Sequence, residues 1–300
     1  MTVITGPFVA IVTPFGGDEG VNAAALRRQV DRQASAGNGV FCAGTNGEFY
    51  ALSSEEKLRV AETCVEAADG RVPVLAHIGE ISTHQTIALG KAVERLGVKA
   101  VSAITPYFIA CSQAELIDHF RRVADALSVP LYLYNIPART GNTLEPETAR
   151  VLAEHPNIIG VKDSAGSQES LDGYLAVARE HQSFDVLVGP DSLVLHGLRQ
   201  GAAGCISGLG NLCPVTLNGI YAAFVAGDLD AAEARQARFS ALRKELYALG
   251  FPPAMVKRAL CHARGRQEPR AGADRRGRGP ADQGNFGAIR RSGVTTRYAP

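Results

Sequence analysis

The sequence has no C-x-x-C pair, no H-E-x-x-H, no G-x-S-x-G and no Walker loop. Dithiol redox chemistry, zincin-type hydrolysis, a serine nucleophile elbow and P-loop phosphate binding all lack their motifs. No apolar run approaches the roughly eighteen residues of a membrane span. The opening stretch MTVITGPFVAIVTPF has no basic n-region and no small-residue cleavage site, so no signal peptide is expected. Charge is scarce and balanced: 20% of residues are charged, 31 basic against 30 acidic, for a net charge of +1. That balance removes the electrostatic case for a nucleic-acid or membrane partner.

A hydrophobic content of 46% over 300 residues is that of a globular chain, and its length suits two domains or one large α/β barrel. The six Cys (42, 64, 111, 205, 213, 261) are scattered through apolar contexts. They read as buried free thiols in a reducing compartment, and a cytoplasmic location is expected. The charge is unevenly placed. His262–Pro300 hold nine Arg, no Lys and three acidic residues, a surplus of +6 that leaves 1–261 at −5.

Eight short apolar runs recur along the chain: Phe8–Thr13, Gly39–Ala43, Val72–Ile78, Ala100–Thr105, Leu131–Asn135, Ile158–Lys162, Asp185–Gly189 and Gly204–Ser207. Each is nearly continuous and rich in Val and Ile, the pattern of strands buried on both faces of a parallel sheet. Helix signals fill the gaps. Ser53 with Glu56, and Ser112 with Glu115, are spaced as capping boxes; Pro146 suits a first turn, and Gly37, Gly97 and Gly201 suit helix ends.

The expected fold class is α/β, a (β/α)8 TIM barrel with additional C-terminal helices. A doubly wound open sheet is the alternative, but Thr13-Pro14-Phe15-Gly16 after the first strand is not a dinucleotide fingerprint. Helices are expected over 214–226, 229–249 and 253–262. The barrel would then span 1–226 and a helical extension 227–262, followed by an Arg/Gly-rich tail over 263–300, disordered or frame-shifted.

Barrel active sites gather at the C-terminal ends of the strands. Lys162 is the most informative residue there. Of the six lysines, the other five fall on helices or, for Lys99, at a strand's start, where an ammonium is expected to reach water. Lys162 alone closes an apolar strand, where burial disfavours the ammonium and frees an amine to attack a carbonyl. The bland reading is a lysine paired with Asp163 or Glu48. Tyr134 ends the preceding strand and suits proton transfer. Gly44-Thr45-Asn46-Gly47 offers amides and a hydroxyl to a carboxylate, and Arg139 a planar fork to a second anion. His77, Glu48, Asp163 and Asp191 all lie near strand ends, but their spacing matches no metal motif, and neither metal nor cofactor is expected.

Read in order, these segments resemble the dihydrodipicolinate synthase / N-acetylneuraminate lyase family of class I, Schiff-base aldolases. They are Ala10–Phe15, Gly44–Glu48, Thr105-Pro106-Tyr107, Tyr134–Pro137 with Arg139–Gly141, and Ile159–Asp163. The resemblance covers about 1–260. It implies a carbon–carbon lyase or synthase, metal-independent, using pyruvate or another 2-oxo acid with an aldehyde partner, in a homotetramer. It also implies Lys162 as the imine-forming lysine, Tyr134 as general acid/base, and Thr45 with the Asn46 backbone as the holder of the 2-oxo acid carboxylate. Arg139 would bind the second substrate's carboxylate, while Ile206, Gly189 and Tyr107 would line the pocket.

Three departures stand out. The synthases have Thr-Thr where this chain has Thr45-Asn46. They place a relay tyrosine where this chain has Phe108, which breaks a Thr–Tyr–Tyr relay unless Tyr107 is re-aimed. The chain also turns Arg/Gly-rich where relatives continue as helices. The implied activity is of the 4-hydroxy-tetrahydrodipicolinate synthase type. A 2-keto-3-deoxy sugar acid aldolase or dehydratase, a non-catalytic 2-oxo acid-binding protein and a metal-dependent barrel hydrolase stand as alternatives.

Overall fold

The computed structural model describes residues 4–267, with side chains through His262. Eight strands form a closed parallel barrel in sequence order: β1 Gly6–Ala10, β2 Gly39–Cys42, β3 Val74–His77, β4 Ala100–Ile104, β5 Leu131–Asn135, β6 Ile158–Asp163, β7 Asp185–Val188 and β8 Gly204–Ser207. Every neighbouring pair is parallel, and β8 closes on β1, so the doubly wound alternative is set aside.

The near-continuous apolar runs have a direct cause. Along β1, Phe8 and Ala10 pack inside the barrel, with Phe41, Leu75, Tyr132, Leu187 and Ile206 from other strands. Val9 between them packs outward with Val40 and Cys42 against the helical shell. Successive side chains alternate faces, and both faces are buried, so no polar alternation can appear.

That shell begins with α1 Ala23–Ser35, α2 Ser54–Ala68, α3 Thr83–Glu94 and α4 Gln113–Ala126. After β5 come a single turn, α5 Pro137–Thr140, and α6 Pro146–Ala153; α7 Gln168–Glu180, α8 Val194–Arg199 and α9 Pro214–Val225 complete it. Both expected capping boxes form, Ser53 with Glu56 and Ser112 with Glu115. Beyond the barrel lie α10 Leu229–Tyr247 and α11 Pro252–Gln267. The backbone of α11 continues past 262 to Gln267, and the remainder of the 263–300 tail lies outside the described residues.

One irregularity positions the site. Leu131 pairs with Ile158, but Tyr132 pairs with Gly160, so Ile159 is an extra residue in β6. The one-residue shift sets Tyr134 level with Lys162 and Asn135 level with Asp163. Without it, Tyr134 would face Val161, because side chains alternate at every residue. Gly160 follows the bulge for a steric reason: a Cβ there would lie 2.3 Å from the Asp185 carbonyl oxygen and 2.6 Å from the Tyr132 ring. Gly160→Ala is therefore expected to destabilise the fold by about 1–3 kcal/mol. Urea denaturation measures this, and an unchanged midpoint would contradict the crowding.

Candidate active site

Lys162 and Tyr134 end neighbouring strands and are both buried, at 3% and 1% exposure. The Lys162 Nζ lies 3.9 Å from the centre of the Tyr134 ring and 4.7 Å from that of Phe41, which places the amine against an aromatic wall. The Tyr134 hydroxyl and Thr45 Oγ1 are 2.9 Å apart and share a hydrogen bond. Amine, phenol and threonine hydroxyl thus form one contiguous cluster. A cavity of about 160 Å³ opens on it, lined by Thr45, Asn46, Tyr134, Arg139, Lys162, Gly189 and Ile206 among others.

Seven of the eight residues expected at the site therefore share one cavity. The eighth, Tyr107, lines an adjoining space of about 330 Å³ that also borders Thr45, Arg139 and Phe251. Its ring packs edge-on against Phe49. Burial, reinforced by the Glu80 carboxylate, pushes its phenol up to about 12, so it stays protonated at ordinary pH. Phe108 has a positive φ of 76° and is 88% exposed, turned away from this cavity. The break expected at position 108 leaves the Thr45–Tyr134 hydrogen bond intact.

The bland reading of Lys162 does not hold. Asp163 Oδ1 accepts from Asn135 Nδ2 at 2.9 Å, the Ala165 amide at 3.1 Å and Ser170 Oγ at 3.1 Å. Glu48 pairs with Lys257. The expectation that the other lysines reach water is corrected for two of them. Lys257 is buried on α11, and Lys57, 5% exposed, pairs with Glu80 at 2.5 Å. Lys57 lies on the buried stripe of α2 with Val60, Ala61 and Cys64, so the i, i+3, i+4, i+7 spacing carried the signal.

The four strand-end groups weighed as metal ligands have separate tasks. Asp191 accepts from Ser207 Oγ at 2.5 Å, the Leu209 amide at 3.1 Å and the Tyr247 hydroxyl at 3.3 Å, joining the β7 and β8 loops to α10. His77 sits among the rings of Phe49, Tyr134 and Phe41 at centroid distances of 4.7, 5.7 and 6.2 Å. Among the described residues, no group of three or more His, Cys, Asp or Glu is arranged to hold a metal ion.

Sequence reading missed the C-terminal wall. Arg243 and Tyr247 of α10, with Phe251, Pro252 and Pro253, line the Lys162 cavity. The Arg139 guanidinium lies 5.3 Å from the centre of the Phe251 ring. Helices read as an appendix to the barrel thus close its mouth, and only the Phe251-Pro252-Pro253 turn hinted at a fixed approach.

The profile of the Dihydrodipicolinate synthetase family matches residues 3–270. The chain belongs to that family. It is 38% identical over 261 residues to the 4-hydroxy-tetrahydrodipicolinate synthase of Hyphomonas neptunium, covering 85% of this chain and 89% of that one. Among solved structures it resembles YagE, a prophage protein of the dihydrodipicolinic acid synthase family from E. coli K12, in complex with pyruvate. There the TM-score is 0.84 at 31% identity, over 87% of this chain and 88% of that one. The pyruvate complex of the chloride-inhibited dihydrodipicolinate synthase from Acinetobacter baumannii gives 0.82 at 34% identity, over 88% and 89%. The family resemblance and the TIM-barrel architecture read from sequence both hold.

His77 carries a prediction. Burial first, then the Lys57 and Lys162 charges, hold its imidazole well below the usual histidine range. The unfolded chain takes up this proton near pH 6.5 and the folded chain does not. This group's contribution to stability is therefore complete above pH 6.5 and declines as pH falls below it. Nitrogen-15 NMR is expected to show His77 neutral from pH 8 to about 5.5. A His77 titration centred near 6.5 would contradict its enclosure.

Proposed function

We propose that the chain is a Schiff-base-forming carbon–carbon lyase/synthase of the 4-hydroxy-tetrahydrodipicolinate synthase type, acting on pyruvate or another 2-oxo acid. The observation that carries this reading is the buried Lys162 amine beside a Tyr134 hydroxyl that is itself bonded to Thr45. The synthase name of the Hyphomonas neptunium relative favours this reading over the sugar-acid alternatives.

Each residue then has a step. The Lys162 Nζ attacks the C2 carbonyl of the 2-oxo acid and forms a carbinolamine. Tyr134, within reach, passes a proton to the departing hydroxyl, and water leaves as the imine forms. The protonated imine draws electrons from C3. Loss of a C3 proton gives an enamine whose carbon attacks the aldehyde carbonyl, forming the new carbon–carbon bond. Hydrolysis or internal trapping of the imine returns the amine. Thr45 and the Asn46 backbone hold the 2-oxo acid carboxylate, and Arg139 at the mouth meets an anionic aldehyde partner. Gly189 and Ile206 shape the pocket. At Gly189 a Cβ would lie 2.0 Å from Ser164 Oγ, so even this small surface is set by packing.

No step in this chemistry calls for a metal, in keeping with strand-end carboxylates already committed to protein partners. The reading includes a homo-oligomer, a tetramer by family likeness. Ile81, Phe108 and Ile109, at 45%, 88% and 57% exposure, support self-association at one rim of the barrel. It also includes a cytoplasmic location, which fits the free state of all six cysteines. No helix among the described residues is long and apolar enough to cross a membrane.

Incubation with pyruvate and borohydride is expected to add a reduced pyruvyl group to Lys162, read by peptide mass. Lys162→Ala should abolish both adduct and turnover, while Tyr134→Phe lowers kcat/KM by roughly 10²–10⁴. A chelator should leave turnover unchanged. Turnover that survives Lys162→Ala and falls with chelator would overturn the mechanism.

A further inference from the structure

The turn that carries Thr45 and Asn46 is held at three points. Thr13 Oγ1 donates to the Gly47 carbonyl at 2.7 Å, and Thr45 bonds Tyr134. Both ties come from barrel strand ends. The third joins the Glu48 carboxylate to the Lys257 ammonium of α11, far along the chain. Glu48 adopts the left-handed backbone region, with φ 58° and ψ 41°, which non-glycine residues seldom occupy. Something must hold it there.

The pair is enclosed: the side chains are 0% and 8% exposed. Val12, Val256 and Leu260 form an apolar cluster in this region, and the Lys257 Nζ lies 4.2 Å from the centre of the Phe15 ring. Burial pushes the Glu48 carboxyl up and the Lys257 amine down, and each is opposed by the other's charge. Removing two charges from water offsets much of their attraction, so such a pair adds little to folding beyond an apolar substitute. Its distinctive contribution is where it puts the chain. Glu48 is anchored two residues from Asn46, and Asn46 packs where a Cβ on Gly208 would lie 2.8 Å from its Nδ2.

We propose that Lys257 is a positioning residue for the 2-oxo acid, acting through Glu48 to hold the Thr45-Asn46 turn in its binding conformation. This rests on the imine-forming reading of Lys162. Without the ammonium, burial keeps Glu48 protonated and the tie between this turn and α11 is lost. The turn is then free to relax from its left-handed conformation and carries the carboxylate-binding residues with it. Because α11 also supplies Pro252 and Pro253 to the cavity, one contact sets both a wall and the floor of the site.

The test is borohydride trapping on the full chain over a pyruvate series, read as the fraction of Lys162 modified. Wild-type protein is expected to label to saturation; an unlabelled wild type overturns the imine reading and this inference with it. Lys257→Met should need about tenfold or more pyruvate for half-labelling, with labelling at saturation unchanged. Val177→Ala, a buried truncation in α7, lowers stability away from this turn and should label as wild type. If Lys257→Met fails to fold, Glu48→Gln with Lys257→Met leaves no buried charge and should show the same shift. Wild-type half-labelling in the folded Lys257 variant, or an equal shift in Val177→Ala, overturns the proposal.

Discussion

One residue of register between β5 and β6 decides whether the Lys162 amine and the Tyr134 phenol meet inside this barrel. Parallel strands alternate their side chains, so an amine and a phenol meet inside only if they stand level on adjacent strands. The extra residue Ile159 makes them level, and Gly160 lets β7 and the Tyr132 ring approach closely enough to keep the bulge. The same shift sets Asn135 opposite Asp163 on the outer face, where their 2.9 Å hydrogen bond fixes the register from behind. Chemistry inside the barrel and a polar lock outside it are two faces of one offset.

The buried charges follow a consistent logic around that centre. A closed barrel mouth has little water to solvate an ion, so each charge needs a protein partner. Lys57 meets Glu80, Lys257 meets Glu48, and Asp191 takes three donors. All of these lie in or beside the loops after the strands and tie them to one another or to the C-terminal helices. Lys162 belongs to a different class, set against the rings of Tyr134 and Phe41. Aromatic faces attract a cation weakly by comparison with a carboxylate, and among the described residues Lys162 stands without the acidic partner that Lys57 and Lys257 have.

The sequence made the barrel legible because the strands are buried on both faces and several helix starts carry ordinary capping chemistry, as at Ser53, Ser112 and Pro146. Residues such as Val40 and Phe41 point opposite ways yet are equally apolar, so the run shows a strand without showing its register. That is why the eight strands could be read and the Ile159 bulge could not. That seven of the expected residues gather around one cavity was legible through their place at strand ends and through the family resemblance. Lys57 and Lys257 were misread because lysine on a helix ordinarily reaches water. On α2 the apolar stripe gave the contrary sign, which counted for less than residue type. Phe251, Tyr247 and Arg243 were missed for a different reason. Nothing local says that a helix after the last strand will fold back over the mouth; that depends on long-range contacts such as Tyr247 with Asp191.

Those long-range contacts divide the labour of the molecule. The strands place the amine, the phenol and the threonine hydroxyl, since Lys162, Tyr134 and Thr45 lie on or just past β6, β5 and β2. The helices beyond β8 set the shape of the entrance, through Arg243, Tyr247 and the Phe251-Pro252-Pro253 turn. Arg139 stands between the two, carried on the α5 turn after β5 and stacked against Phe251. Changes at Arg243, Tyr247 and Phe251 can thus reshape the entrance while leaving the amine and phenol in place. A barrel whose strand ends and whose lip come from separate parts of the chain can vary the lip without re-solving the burial of its lysine.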